Sequence, residues 1–326
     1  MGKKYKNLFP QIVAPANLYS AYRKAAKGKR NTRSHREFAQ DLNTNLAALG
    51  DRLRTGQYRP GAPRTFLVHE PKTREITAMP FVDRVAQHAL CNVIEPIFDS
   101  VFLPQSYACR SGKGTHAAAR QVQAELRRYA AHGVSPWVLK TDFSGYFYNV
   151  QRDILHTEYR RKIACPPTLR LLEAMIPSGG VGLPIGNLTS QLSANLYGHV
   201  VDRWLVHTMG TTRFLRYMDD IVVLDTDRSA LVRLQSSLEN FALKTLGLRF
   251  SRWSIQPVAR GVNFVGYRIW PTYKLLRRDS VLRAKRKIAR YTQHGEADRL
   301  RMFLASWRGH AQWADSNNLL KNLGVA

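Results

Sequence analysis

The sequence predicts an α+β fold, and three observations predict it. Long stretches carry apolar residues at three- and four-residue spacing, with Leu42, Leu46, Leu49 and Leu53 forming a clear helical stripe. Short β-branched and aromatic runs bounded by turn residues lie between those stretches and read as strands. The run Arg213–Leu224 reads as a hairpin whose apolar arms are interrupted by two adjacent acids, Asp219 and Asp220. Helices interspersed with paired strands in this way form an α+β pattern.

The elements follow in order. Residues 1–60 are mostly helical and basic, and Gly56–Gly61 ends the last of these helices. Residues 64–69 and 75–79 read as short strands joined by a turn at 71–74. A helix is expected over 83–98, with Val85, Ala89, Val93 and Ile97 on one face. Another opens after Gly112 and runs to about residue 130, with Thr115 as its N-cap. Residues 137–142 form a buried-type strand, 152–176 a helical stretch, 177–182 a loop and 188–209 a long helix. After the acidic hairpin come a helix at 228–246, strands near 248–256 and 262–270, and a helical tail at 271–326.

Fifty Lys and Arg stand against 23 Asp and Glu, a formal net charge of +27. An excess of this size points to a polyanionic partner, with nucleic acid ahead of an anionic membrane surface. No apolar run of about 18 residues is present, so no membrane span is expected. The segment Met1–Lys6 is basic with no apolar stretch after it, so no signal peptide is expected. Cys91, Cys109 and Cys165 are odd in number and lack metal-ligand spacing. They read as packing residues of a reduced, cytosolic protein.

The chemistry concentrates on three acids. Asp142 ends the strand 137–142, and the hairpin tip adds Asp219 and Asp220. Alone, Asp142 fits a turn or helix cap, and the pair fits a solvated turn. Together, three carboxylates around one point are equipment for two divalent ions, and hard oxygen donors suit Mg²⁺.

In order, these motifs resemble those of reverse transcriptases. The family's first palm motif, an Asp followed five positions on by an aromatic, is matched by Asp142 and Phe147, and its Tyr-x-Asp-Asp by Tyr217, Asp219 and Asp220. Lys72 and Arg74 match its basic fingertip pair. Asp83 with Arg84, Ser106–Arg110 and Asn263–Tyr267 resemble three further segments of the bacterial intron-type enzymes, the last being the hairpin that grips the primer. The resemblance implies a right-hand polymerase: N-terminal extension and fingers at 1–135, palm at 136–270 with a helical finger-side insertion about 152–181, and a short helical thumb at 271–326. The three Asp, with the backbone of Phe143, are implied to hold two Mg²⁺ ions, or Mn²⁺ in their place. Lys72 and Arg74 are implied to neutralise the incoming triphosphate. Phe147 is implied to exclude a 2′-hydroxyl, though a core role fits it as well. Tyr217, Gly266 and Gln191 are implied to contact template or primer. Arg110 is open between a template-phosphate contact and a structural one. The helix carrying Arg283, Arg286, Lys287 and Arg290 reads as a strand-tracking thumb helix or a solvated face, with those four cations away from the stripe Val281, Ala284, Ile288 and Tyr291.

One segment departs from the common pattern. Gly182–Gln191 carries Ile185 where most members have Gln, and Gln191 where most have Pro. This form resembles the reverse transcriptases of diversity-generating retroelements, as does the tail Phe303–Trp313. The resemblance implies copying of a template-repeat RNA into cDNA with errors at adenines. It also implies dNTP substrates and a small, basic, oligomeric accessory protein in a bacterial or phage-infected cytosol. Ile185 can pack but cannot hydrogen-bond, so it is expected to lower discrimination near the nascent pair. A second departure is Arg252, where many polymerases carry a proton-donating Lys; Arg stays protonated, and no general acid is assigned. With residues 271–326 taken up by the thumb, no separate nuclease domain is expected. The alternatives are another bacterial reverse transcriptase of intron, retron or phage-defence type, a catalytically silent RNA-binding protein of the same fold, and an RNA-dependent RNA polymerase.

Overall fold

The structure, a computed structural model, describes residues 3–69 and 73–324. Its elements in chain order are α1 (Phe9–Ile12), α2 (Pro15–Ala26), α3 (Arg33–Gln40), α4 (Leu42–Arg54), β1 (Arg64–Val68), β2 (Arg74–Ala78), α5 (Phe81–Asp99), α6 (Thr115–Ala131), β3 (Trp137–Phe143), α7 (Arg152–Lys162), α8 (Pro166–Met175) and α9 (Leu188–His207). There follow β4 (Phe214–Tyr217), β5 (Asp220–Asp225), α10 (Arg228–Leu246), β6 (Phe250–Pro257), β7 (Val262–Phe264), β8 (Tyr267–Ile269), β9 (Lys274–Leu276), α11 (Arg278–Gln293), α12 (Ala297–Ala311) and α13 (Asn317–Asn322). The fold is α+β, and the chain forms two compact units.

The first unit holds residues 1–103, 144–204 and 240–249. Its core is helical. Ala21 and Ala25 of α2 are fully buried, and such small side chains let a neighbouring helix approach closely. Asn17 adds a polar tie from α2 to α5: its amide donates to the carbonyls of Ile12 and Ala89, both at 2.9 Å. Leu46, Leu49 and Leu53 bury the stripe of α4. At the start of α5, the buried Asp83 accepts from the Tyr58 hydroxyl (2.7 Å) and the Gly61 amide (3.0 Å). Burial next to that carboxylate pushes the Tyr58 hydroxyl above its ordinary range. The stretch 152–176 is two helices rather than one. Pro166 and Pro167 cannot continue α7 but suit the first turn of α8. β1 and β2 pair antiparallel as a two-stranded sheet.

The second unit holds residues 104–143, 205–239 and 250–326. Its main sheet has the order β4-β5-β3-β6, antiparallel throughout. β3 is therefore flanked on both sides, and Val138, Leu139, Thr141 and Phe143 are buried. Val138, Leu215, Val222 and Leu224 from this sheet share a core with Val122 and Leu126 of α6, Phe264 and Tyr267 of β7 and β8, and Trp307 of α12. Three local expectations need correction. Gly114, at φ +113°, caps α6, and Thr115 is the first helical residue. The strand expected over 262–270 is a hairpin, because Val265 and Gly266 both take positive φ (43° and 93°), as a two-residue turn demands. The otherwise helical tail begins with β9, which pairs with β8.

Candidate active site

The acids sit on the main sheet of the second unit. Strand alternation puts Lys140 and Asp142 on one face of β3. The register sets Asp142 directly opposite Asp220 on β5 and, on its other side, opposite Arg252 on β6. Tyr217 pairs with Asp220, so Met218 and Asp219 form a two-residue turn. The Phe143 amide donates to the Asp219 carbonyl at 3.4 Å, tying that turn to the end of β3.

The turn is strained and braced. Met218 takes φ +58°, a region costly for a bulky side chain. Arg216, wholly buried, donates from Nη1 to the Met218 carbonyl (3.0 Å) and from Nη2 to Ser106 Oγ (3.1 Å). Its backbone pairs with the same segment: its amide donates to Gln105 O (2.9 Å), and the Tyr107 amide donates to its carbonyl (3.0 Å). The Ser106–Arg110 segment thus supports the acidic turn. Arg110, half-buried, donates to the Ser106 carbonyl at 3.1 Å.

Each strand-borne acid has its own partner. The Lys140 ammonium donates to both oxygens of Asp220, at 2.8 and 2.7 Å. The Ser251 hydroxyl reaches the carbonyl (3.0 Å) and Oδ2 (3.1 Å) of Asp142, and Arg252 Nε lies 3.9 Å from the same Oδ2. Burial raises the Asp220 carboxyl above its ordinary value; Lys140 opposes that and the charge of Asp142 adds to it. Among the described residues no three His, Cys, Asp or Glu side chains gather as a ready cation cage. The donor set still fits a divalent cation. Like charges directly opposite in a sheet are unfavourable without a positive charge nearby, and the Lys140 ammonium supplies one. A hard cation with oxygen ligands answers the same need.

Other expected residues lie in the first unit. Arg74 is exposed at the start of β2; Lys72 lies outside the described residues. The Thr77 amide of β2 donates to the Ile185 carbonyl, and the Leu183 amide to the Phe147 carbonyl, both at 2.7 Å. These bonds bring β2, Phe147 and Ile185 together. Ile185 is half-buried and lines a cavity of about 390 Å³ with Thr77, Tyr148 and Leu183. Gly186, at φ +116°, leaves no room for a side chain, since a Cβ would meet the Thr77 carbonyl at 2.9 Å. Phe147 is half-buried and edge-on to Tyr146, and Gln191 is exposed on α9.

In the second unit, Tyr217 is half-buried, which raises its hydroxyl pKa. Gly266 forms the β7–β8 turn. On α11, Arg283, Arg286 and Arg290 are exposed. Lys287 departs from the expected face: it is half-buried, with its ammonium 5.5 Å from the centre of the Phe303 ring.

Lys140 and Arg216 were missed from the sequence. Lys140 carried a signal, because position i−2 on a strand shares the face of Asp142. Arg216 carried a weaker one, as a lone cation in an apolar strand.

Residues 68–269 match the family model described as reverse transcriptase (RNA-dependent DNA polymerase). Protein YkfC of Escherichia coli K12 is 29% identical over 176 residues, covering 50% of this chain and 46% of that protein. The group II intron-encoded protein LtrA of Lactococcus lactis is 24% identical over 207 residues, covering 60% of this chain and 33% of that protein. The chain thus spans less than half the length of these two relatives. A solved telomerase structure from Candida albicans aligns over 72% of this chain and 51% of that one, with 9% identity and a TM-score of 0.49. The family match contains Asp142, the Tyr217–Asp220 turn and the braces around them, and the chain belongs to the reverse transcriptase family, whose fold is the right-hand polymerase fold.

Proposed function

We propose that the chain is an RNA-directed DNA polymerase that copies a template-repeat RNA into error-prone cDNA, in the manner of diversity-generating retroelements. The observation that carries the polymerase reading is the direct pairing of Asp142 with Asp220 beside the Met218–Asp219 turn, within the span that matches the family. Asp142, Asp219, Asp220 and the backbone carbonyl of Phe143 would hold two Mg²⁺ ions, with Mn²⁺ able to replace them. Bound there, such ions supply an activated 3′-hydroxyl and charge neutralisation on the triphosphate. The chain's own residues do the rest. Lys140 compensates the carboxylate pair and keeps Asp220 oriented. Lys72 and Arg74 take triphosphate oxygens, with Arg74 able to do so through two nitrogens. Phe147 closes the space a 2′-hydroxyl would need. Arg110, Gln191, Tyr217, Gly266, Arg283, Arg286, Lys287 and Arg290 serve template and primer. Fingers, palm and thumb correspond to 1–135, 136–270 and 271–326.

Ile185 and Gln191 support the retroelement type. The net charge of +27 suits an RNA surface shared with a small basic accessory protein in the cytosol. No helix among the described residues is long and apolar enough to cross a membrane. The test is extension of a DNA primer on a template-repeat RNA, with the products sequenced. Errors concentrated opposite template adenine, reduced by Ile185→Gln, are the expected result. Uniformly accurate cDNA from the wild type would remove the retroelement reading and favour an intron-type enzyme.

A further inference from the structure

A single hydroxyl joins three elements of the second unit. Tyr267 closes the β7–β8 turn opposite Phe264, and its side chain is wholly buried. Its Oη lies 2.9 Å from His116 Nδ1, in the first turn of α6. In the last turn of α12 it lies 3.1 Å from His310 Nδ1 and donates to the His310 carbonyl at 3.3 Å. His116 stacks on Trp313, with centroids 4.5 Å apart and planes at 11°, and the Arg120 guanidinium sits 5.3 Å from the centre of that indole. The His310 ring also reaches the turn itself: a Cβ on Gly266 would lie 3.6 Å from its Cε1 and Nε2. The Gly266 carbonyl accepts from the Arg277 amide (3.1 Å) at the start of α11. The Val265–Gly266 turn is therefore fixed to α6, α11 and α12 at once.

The chemistry of the link is directional. A phenol has one proton to give and two lone pairs to receive with. With its proton given to the His310 carbonyl, it accepts from both Nδ1–H groups when the two imidazoles are neutral Nδ1–H tautomers. Burial holds both imidazoles below the ordinary histidine value; Arg120 and Lys274 add to this at His116, and His116 adds to it at His310. The polar contacts of a wholly buried phenol are worth keeping, because a buried polar group left unpaired is destabilising.

We propose that Tyr267 is a positioning residue: through His116 and His310 it holds the Val265–Gly266 turn against α6 and α12, and this brace sets the affinity for a recessed primer 3′ end. The identity of the gripped strand rests on the polymerase reading; the brace does not. The test is binding by the full chain, without dNTPs, of a DNA primer annealed to RNA with a recessed 3′ end, alongside the RNA alone. Tyr267→Phe removes only the hydroxyl. It should raise Kd for the hybrid about fivefold, the equivalent of one neutral hydrogen bond, and leave Kd for the single strand unchanged. His310→Leu should do the same. His310→Asn, whose amide can take the place of Nδ1, should stay within about twofold of wild type. If Tyr267→Phe fails to fold, the Leu and Asn variants at 310 decide the matter. Equal hybrid affinity in wild type, Tyr267→Phe and His310→Leu overturns the proposal, as does an equal loss on hybrid and single strand. Wild-type primer extension, measured in parallel, reports separately on the polymerase reading. If extension is present, Tyr267→Phe should raise KM for the hybrid and leave kcat unchanged.

Discussion

Replacing Lys140 by Met keeps the aliphatic stem and deletes the ammonium that bonds both oxygens of Asp220. The two side chains are 19% and 21% exposed, so water screens the pair only in part. Hydrogen bonds to charged groups are worth about 1.5–3 kcal/mol, and the lower half of that range, about 1.5–2 kcal/mol, suits this exposure. The deletion should act in opposite directions with and without a divalent cation. In EDTA the Asp142–Asp220 pair loses its compensating charge, and Tm should fall by about 3–6 °C. With Mn²⁺ present, Asp220 is no longer engaged by an internal cation, and affinity should rise about tenfold to thirtyfold. Titration of free Mn²⁺ by electron paramagnetic resonance reads the affinity directly, and thermal melts in EDTA and in Mn²⁺ read the stability. The gain should vanish when Asp220→Asn is added, because the coupling runs through that carboxylate. Equal Mn²⁺ affinity in wild type and Lys140→Met would refute the reasoning, and so would a gain that survives the second change.

Arg216→Met should cost about 3 kcal/mol or more in denaturant unfolding, because it strips the Met218 carbonyl of its buried partner; a loss below about 1 kcal/mol would mean the turn holds itself. Gly186→Ala forces a Cβ against the Thr77 carbonyl at positive φ, so a loss of about 1–3 kcal/mol and faster hydrogen exchange at the Thr77 amide are expected. His88 is held down at about 4, chiefly by burial, with Arg84 and Lys24 adding. The unfolded chain therefore takes its proton first, so this contribution to stability is complete above about pH 6.5 and is lost as pH falls toward 4. His88→Gln should flatten the decline of the urea midpoint across that window, and an unchanged slope would contradict the assignment. Arg74→Ala should raise KM for dNTPs and leave hybrid binding unaltered, measured by steady-state extension and anisotropy.

Much of this was legible in the sequence where local signals agree. The helix expected over 228–246 is α10 over the same residues, and the 213–224 hairpin closes on the expected acids. The misses have particular causes. Tandem prolines at 166 and 167 divide the helical stretch 152–176 into α7 and α8. Lys287 lies three residues beyond the buried Ala284, hence on the edge of the packed face rather than away from it. The burial of Arg216 depends on Ser106, 110 residues earlier in the chain, and no local pattern encodes such a partner. The acids stand out in the sequence by type and spacing, but their partners Lys140, Ser251 and Arg252 come from register, which only the paired strands reveal. The tie from Tyr267 to two histidines was likewise invisible, since His116 and His310 sit 151 and 43 residues away.

The most direct test of the central claim compares wild type with Asp142→Asn in extending a DNA primer on RNA with dNTPs and Mg²⁺. The account predicts robust extension by wild type and a loss of about a thousandfold or more in the variant, as expected when a carboxylate of a metal-dependent phosphoryl-transfer site is removed. A wild type that adds no nucleotide, or a variant that extends at the same rate, would contradict it.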